Sequence, residues 1–221
     1  MYYKDQTTTE RLFFFLEAIT IVSSDPAIAE VLASYGFGEE RMDIARDIYD
    51  RTHASFAIRQ DRFAEQLQAT DRLNEARDEF VKLFRNDRSL VQSVLRKKRS
   101  EWEGFGLNTL IYKKREKLVN QADYFYNAVK ESPFVLSELE SLYKISVELI
   151  DSRLLALQAF VNAIQEQQLK RAEAQVATQR KRESLKEMDD WMTTFLGVAR
   201  QAFKEDRKQL EKLGITAKVS N

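Results

Sequence analysis

The segment QEQQLKRAEAQVATQRKRES, Gln165 to Ser184, lies within a long amphipathic helical pattern but is itself almost entirely polar. On both sides of it, apolar residues recur at steps of three and four, as on one face of a helix. Inside it, only Leu169 and Val176 are large and apolar. The other positions of that face are Gln168, Arg171, Gln175 and Arg182. Because burial of such side chains is costly, we predict that the chain folds back at Ala177-Thr178 and exposes this segment as a hairpin tip.

A second polar segment occurs earlier in the chain and leads to the same interpretation. It places Arg59, Arg62 and Gln66 on the apolar face and ends in the same dipeptide, at Ala69-Thr70. The spacing of the apolar residues by itself also permits one continuous helix, but such a helix would have nothing apolar to pack against its centre. We therefore predict a second hairpin, with its turn at Ala69-Thr70.

An internal repeat explains why this pattern occurs twice. LFRNDRSLVQSVLRKKRSEWEGFGL, Leu83 to Leu107, matches WMTTFLGVARQAFKEDRKQLEKLGI, Trp191 to Ile215, without gaps at an offset of 108 residues. Apolar positions align with apolar positions, which places Trp191 in the core. We predict two copies, residues 1–107 and 108–221, that share one bundle core within a single structural domain.

Each copy begins with an apolar helix followed by a shorter one. The first helices are predicted over Thr9 to Ser23 and Ile111 to Lys130, and each ends before a proline because the residue preceding proline disfavours helix. Asp25 and Ser132 are the predicted N-caps of the shorter helices. The apolar run Leu12 to Val22 is too short to cross a bilayer and predicts a buried helix. We expect Phe13–Phe15 and Tyr124–Tyr126 to be buried at the end of the bundle.

Composition supports an all-helical fold. Only 6 Gly and 2 Pro occur among 221 residues, so few positions interrupt helices. The predicted fold is all-α: an elongated up-down four-helix bundle of two duplicated helical hairpins, each preceded by shorter helices.

The residues offer few options for chemistry. There is no Cys, which excludes thiol catalysis and thiolate metal sites, and His53 is the only histidine. No nucleophile elbow or phosphate-binding glycine loop occurs. We assign no catalytic, cofactor-binding or metal-binding residue, expect no cofactor, and predict a non-enzymatic, cytoplasmic protein.

The formal net charge is zero, but two basic runs flank the junction between the copies. We take them as candidate binding residues for an acidic partner, nucleic acid or anionic lipid. The simpler interpretation is a pair of solvated helix ends. The candidate residues are Arg96, Lys97, Lys98, Arg99, Lys113, Lys114 and Arg115.

VLASYGFGEERMDIARDIYD, Val31 to Asp50, together with the Ala-Thr dipeptide of each copy and the endings GFGL and KLGI, resembles an uncharacterised bacterial family of tandem helical repeats. In copy two, SLYKIS, Ser141 to Ser146, replaces the glycine turn. The resemblance implies the duplicated helical fold and implies no activity, substrate or cofactor.

Three functional hypotheses follow from these patterns. The leading one is a helical scaffold or protein-interaction module that contacts another protein through its exposed hairpin tips. The alternative is membrane-surface or nucleic-acid binding through the basic runs. The third is a small-molecule pocket lined by Phe13, Phe37 and Tyr124.

Overall fold

The computed structural model of the chain describes residues 6–215, and every regular element in that range is helical. The α-helices are α1 (Thr8–Ser24), α2 (Pro26–Ser34), α3 (Glu39–Val94), α4 (Arg115–Lys130), α5 (Pro133–Tyr143), α6 (Val147–Ala202) and α7 (Arg207–Lys212). A 3-10 helix, Arg99–Phe105, lies between α3 and α4. The predicted all-α class is confirmed.

The chain divides into two compact units that differ from the predicted copies. The first unit contains residues 6–63 and 173–215, and the second contains residues 64–172. Each unit has its own cluster of buried apolar side chains, where the sequence predicted one shared core. Each unit takes its first helices from one copy and its last helices from the other.

The core of the first unit is built around Trp191, which is buried as the sequence predicted. Its ring makes edge contacts with Phe15 at 5.1 Å and Phe37 at 5.6 Å, and it stacks on Phe195 at 5.2 Å. These residues come from α1, the α2–α3 turn and α6. Such aromatic contacts add to the free energy gained from burying apolar surface.

The core of the second unit is also aromatic. Phe80 of α3 stacks on Phe84 at 5.8 Å and on Phe160 of α6 at 5.9 Å. Phe84 in turn meets the edge of Phe125 of α4 at 5.4 Å. The second unit therefore packs α3, α4 and α6 around one aromatic cluster.

The predicted hairpins at Ala69-Thr70 and Ala177-Thr178 are wrong, because α3 and α6 run through both dipeptides as unbroken helices of 56 residues each. The Thr70 hydroxyl donates to the Gln66 carbonyl and the Thr178 hydroxyl to the Ala174 carbonyl, so both bond within their own helix. The described residues therefore do not form the four-helix bundle that two hairpins would build.

Charged side chains of the polar segments pair across α3 and α6 near the surface. In the second unit, Arg72 pairs with Glu166 at 2.8 Å and Lys170 with Glu65 at 2.9 Å, and all four side chains stay partly in water. Long basic side chains reach the surface from a helix contact, so their charges avoid the cost of burial. Ala69, at the predicted turn, is instead a small residue buried in this unit.

Local signals at the helix ends are confirmed with one exception. Thr7 caps α1 in a capping box, and Asp25 and Ser132 cap α2 and α5. The exception is α4, which begins at Arg115 and not at the predicted Ile111. The residues between the 3-10 helix and α4 are therefore a non-helical connector.

The predicted burial of two aromatic triplets is correct only in part. Phe15, Phe125 and Tyr126 are buried, whereas Phe13 and Tyr124 are exposed. Successive residues of a helix point in different directions, so a run of three aromatic residues cannot face one core entirely.

Candidate functional site

Two buried charged side chains, Asp87 and Arg88, distinguish the second unit, since the buried polar side chains of the first unit are the uncharged Thr52 and Ser55. Arg88 and the buried Gln121 hold the connector, residues 106–114. Arg88 of α3 is only 6% exposed. Its Nη2 donates to the carbonyl oxygens of Thr109 at 2.6 Å and Leu107 at 3.3 Å. Arg88 thus fixes the connector backbone to α3.

Gln121 of α4 holds the same connector from the other side. Its Nε2 donates to the Thr109 hydroxyl at 2.9 Å and to the Leu110 carbonyl at 3.0 Å, and its Oε1 accepts from the Tyr112 amide at 3.1 Å. The Thr109 hydroxyl donates to the Gly106 carbonyl. Because Leu107, Thr109, Leu110 and Tyr112 all bond to Arg88 or Gln121, the connector has a defined conformation.

The connector directs apolar and cationic side chains outward. Leu110 is 90% exposed, the highest value among the exposed large hydrophobic residues of the described chain. Tyr112 is also exposed, and so is Tyr124 of α4, whose ring lies beside Gly106. We call the following residues the connector surface: Leu110, Tyr112, Lys113, Lys114, Arg115 and Tyr124.

The second basic run, Lys113 to Arg115, belongs to this surface. Within residues 6–215, none of these three cations has an acidic side chain at ion-pair distance. Lys117, one turn further on, places its Nζ 5.6 Å from the centre of the Tyr112 ring. The run is therefore available to an external anion.

The first basic run, Arg96 to Arg99, is exposed and ends on the first residue of the 3-10 helix of the same unit. Lys98 is occupied locally, because it pairs with Glu101 at 3.5 Å and its Nζ lies 3.9 Å from the centre of the Phe134 ring. Arg99 lies over the Trp102 ring at 5.3 Å. This run is more engaged with its own unit than the second run.

A second buried polar cluster lies beside Arg88. The Tyr126 hydroxyl donates to Asp87 Oδ2 at 2.8 Å, and Arg153 Nε donates to the same oxygen at 3.1 Å. Burial raises the pKa of the Asp87 carboxyl, although both hydrogen bonds act to lower it. Burial and the neighbouring Asp87 carboxylate also raise the pKa of Tyr126. The cluster therefore joins α3, α4 and α6 at an electrostatic cost.

When the two predicted copies are aligned, these polar groups fall in the second unit alone. Each of the five aligns with an apolar residue of the first unit when the offset of the surrounding match is used. The pairs are Asp87 with Phe195, Arg88 with Leu196, Gln121 with Phe14, Tyr126 with Ile19 and Arg153 with Ala45. Apolar residues thus fill the matching positions of the first unit, which implies that helix packing alone does not require the polar set.

The predicted small-molecule pocket has a different lining. In the first unit, Phe37 contributes to an open cleft of about 400 Å³, and a second cleft of similar volume shares Ser23 and Arg46 with it. Phe13 and Tyr124 line neither cleft. Arg46 donates to Ser23 between the two clefts and also pairs with Asp43.

In the described part of the chain, no group of three or more His, Asp or Glu side chains could hold a metal ion. Among residues 6–215, no single helix has the length and hydropathy of a membrane span, whereas α1 and α2 pass that test as a pair bent by 99°. Comparisons with family models, curated proteins and solved structures give no match.

Sequence reasoning found the cations of the connector surface but missed Leu110, Arg88 and Gln121. One signal was present: Arg88 and Gln121 are polar at positions of an apolar pattern where the other copy has Leu196 and Phe14. A polar residue on an apolar helical face suggests a specific hydrogen-bonding role.

Proposed function

We propose that this chain is a non-enzymatic binding protein that attaches to a polyanionic partner through the connector surface. The observation that carries the proposal is Leu110, 90% exposed on a loop that buried Arg88 and Gln121 hold in place. It lies next to cations that have no acidic partner among residues 6–215. This choice favours the alternative sequence hypothesis over the protein-interaction module, because the hairpin tips of the latter do not exist.

Preorganisation supports the proposal. A loop that is ordered before binding loses little conformational entropy when it meets its partner. Burying Arg88 has a cost, and burial lowers the pKa of its guanidinium. A buried arginine that lowers stability but fixes a loop is consistent with a role of that loop beyond packing.

The duplicated architecture is also part of the proposal. The first residue of α3, Glu39, lies 108 positions before the first residue of α6, Val147. The last residues of the two helices, Val94 and Ala202, are also 108 positions apart, which is the offset of the sequence match. Lys144 adopts the left-handed conformation, with φ of 59°, where the other copy has Gly36 at 83°. We propose a duplication in which only the second unit gained the buried polar groups, and the resemblance to tandem-repeat proteins supports the same history.

The test is salt-dependent binding to polyanions. The wild-type protein, a Lys113→Gln/Lys114→Gln variant and a Lys204→Gln/Lys208→Gln control would be titrated with phosphatidylserine vesicles, duplex DNA and polyglutamate. The control removes the same charge from exposed positions of the first unit. We expect salt-sensitive binding of the wild type to at least one probe, weakened about tenfold or more in the connector variant alone.

Two results would refute the proposal. One is a wild-type protein that binds none of the three probes at low ionic strength. The other is an equal loss of binding in the connector variant and in the first-unit control, since that would indicate an effect of total charge and not of this surface.

A further inference from the structure

We infer that the polyanion is an anionic phospholipid bilayer, into which Leu110 inserts as an apolar anchor. The inference rests on the proposed function and names its partner. It depends on the apolar part of the connector surface, which the binding of charge alone leaves unexplained.

The side chain of Leu110 projects into solvent, while its backbone is hydrogen-bonded to the protein. Its carbonyl accepts a hydrogen bond from Gln121, and the preceding carbonyl, of Thr109, accepts one from Arg88. The side chain is therefore presented to the outside with no buried contact of its own to lose. Transfer of such a side chain from water into the acyl boundary of a bilayer is favourable.

The residues around Leu110 match the layers of a membrane interface. Tyr112 and Tyr124 are exposed, and tyrosine has an apolar ring and a polar hydroxyl suited to the headgroup level. Lys113 and Lys114 follow directly and carry charges on long, flexible stems. Anionic headgroups attract such basic segments next to the surface.

Nucleic acid and an acidic protein explain this surface less completely. Single-stranded nucleic acid is bound by aromatic rings that stack on bases within a basic groove, whereas here an aliphatic side chain projects from a loop. Phosphates and carboxylates gain nothing from contact with Leu110. A bilayer provides both anions and an apolar phase at adjacent depths.

The experiment measures co-sedimentation with phosphatidylserine/phosphatidylcholine vesicles for the full chain, a Leu110→Gln variant and a Leu155→Gln control. Leu155 is also a leucine of the second unit and is 72% exposed, so the control makes the same chemical change at another exposed site. We expect Leu110→Gln to weaken vesicle binding about tenfold or more and the control to bind like the wild type.

A second readout reports insertion directly. In a Leu110→Trp variant, the new indole should shift its fluorescence to shorter wavelength when vesicles are added, over the unchanged signal of Trp102 and Trp191. An unshifted spectrum on bound vesicles would overturn the inference, as would equal binding by Leu110→Gln and wild type. Binding of the wild type to DNA or polyglutamate but not to vesicles would also overturn it and leave the proposed function standing. Binding to no polyanion would remove both.

Discussion

At the scale of single residues, the Asp87–Arg88 dipeptide connects the interior of the second unit to its surface. Asp87 is only 3% exposed and accepts hydrogen bonds from Tyr126 and Arg153, while Arg88 bonds the connector. Paired buried charges of this kind often contribute less to stability than apolar residues of similar volume. Their role is better described as fixing the positions of helices and loop.

The raised pKa of Asp87 leads to a prediction about pH. Because the folded-state pKa lies above the ordinary 3.8, the contribution of Asp87 to stability is fully present below the unfolded pKa. That contribution is lost as the pH rises through the folded pKa. We therefore expect the free energy of unfolding of the wild type, minus that of Asp87→Asn, to fall as the pH rises from the acid side. Urea unfolding of both proteins across this range measures the difference.

A difference that stays constant with pH, or that increases with pH, would contradict this account of Asp87. Other carboxyl groups cannot produce the signal, because they are present in both proteins and cancel in the subtraction. The pKa values of Glu10, Asp25 and Glu148 are lowered, so their contributions to stability increase with pH and have the opposite sign to that of Asp87.

The residue scale also explains which part of the site the sequence could predict. Charge runs are local features, so Lys113 and Lys114 are visible in the sequence. The exposure of Leu110 depends on Arg88 and Gln121, which lie on other elements and meet the connector only in the folded chain. No local pattern around Leu110 reports that arrangement.

At the scale of elements, capping was predictable and helix pairing was not. Asp25 and Ser132 act on their own helices through bonds to nearby amides, which a sequence pattern encodes. In the polar part of α3, by contrast, the partners are acidic residues of α6 far away in the chain, such as Glu166 for Arg72. Because the sequence alone does not show which residues of α6 pair with this polar segment, the pattern predicts a turn there.

Distance measurement separates a continuous α3 from a hairpin. The chain has no native cysteine, so spin labels at Ala64→Cys and Lys82→Cys would be the only ones present. Both positions are exposed and belong to the second unit. We expect a separation of about 27 Å from the rise of a continuous helix. A turn at Thr70 would shorten it to about 15 Å, which electron paramagnetic resonance would detect.

At the scale of the whole molecule, the two compact units have other boundaries than the two predicted copies. Residues 64–172 form one uninterrupted compact unit that contains the connector surface and both buried polar clusters. Copy one, residues 1–107, ends within this unit and lacks α4, α5 and α6. Its buried residues Phe80 and Phe84 would lose their contacts with Phe160 and Phe125.

The most direct test of this account is urea unfolding of two separate fragments, residues 64–172 and residues 1–107, followed by circular dichroism. We expect the 64–172 fragment to be helical and to unfold in one cooperative transition, because it retains its complete aromatic core. The 1–107 fragment should unfold without a cooperative transition. A cooperative 1–107 fragment together with an unfolded 64–172 fragment would show that the repeats fold as units, and would contradict the account.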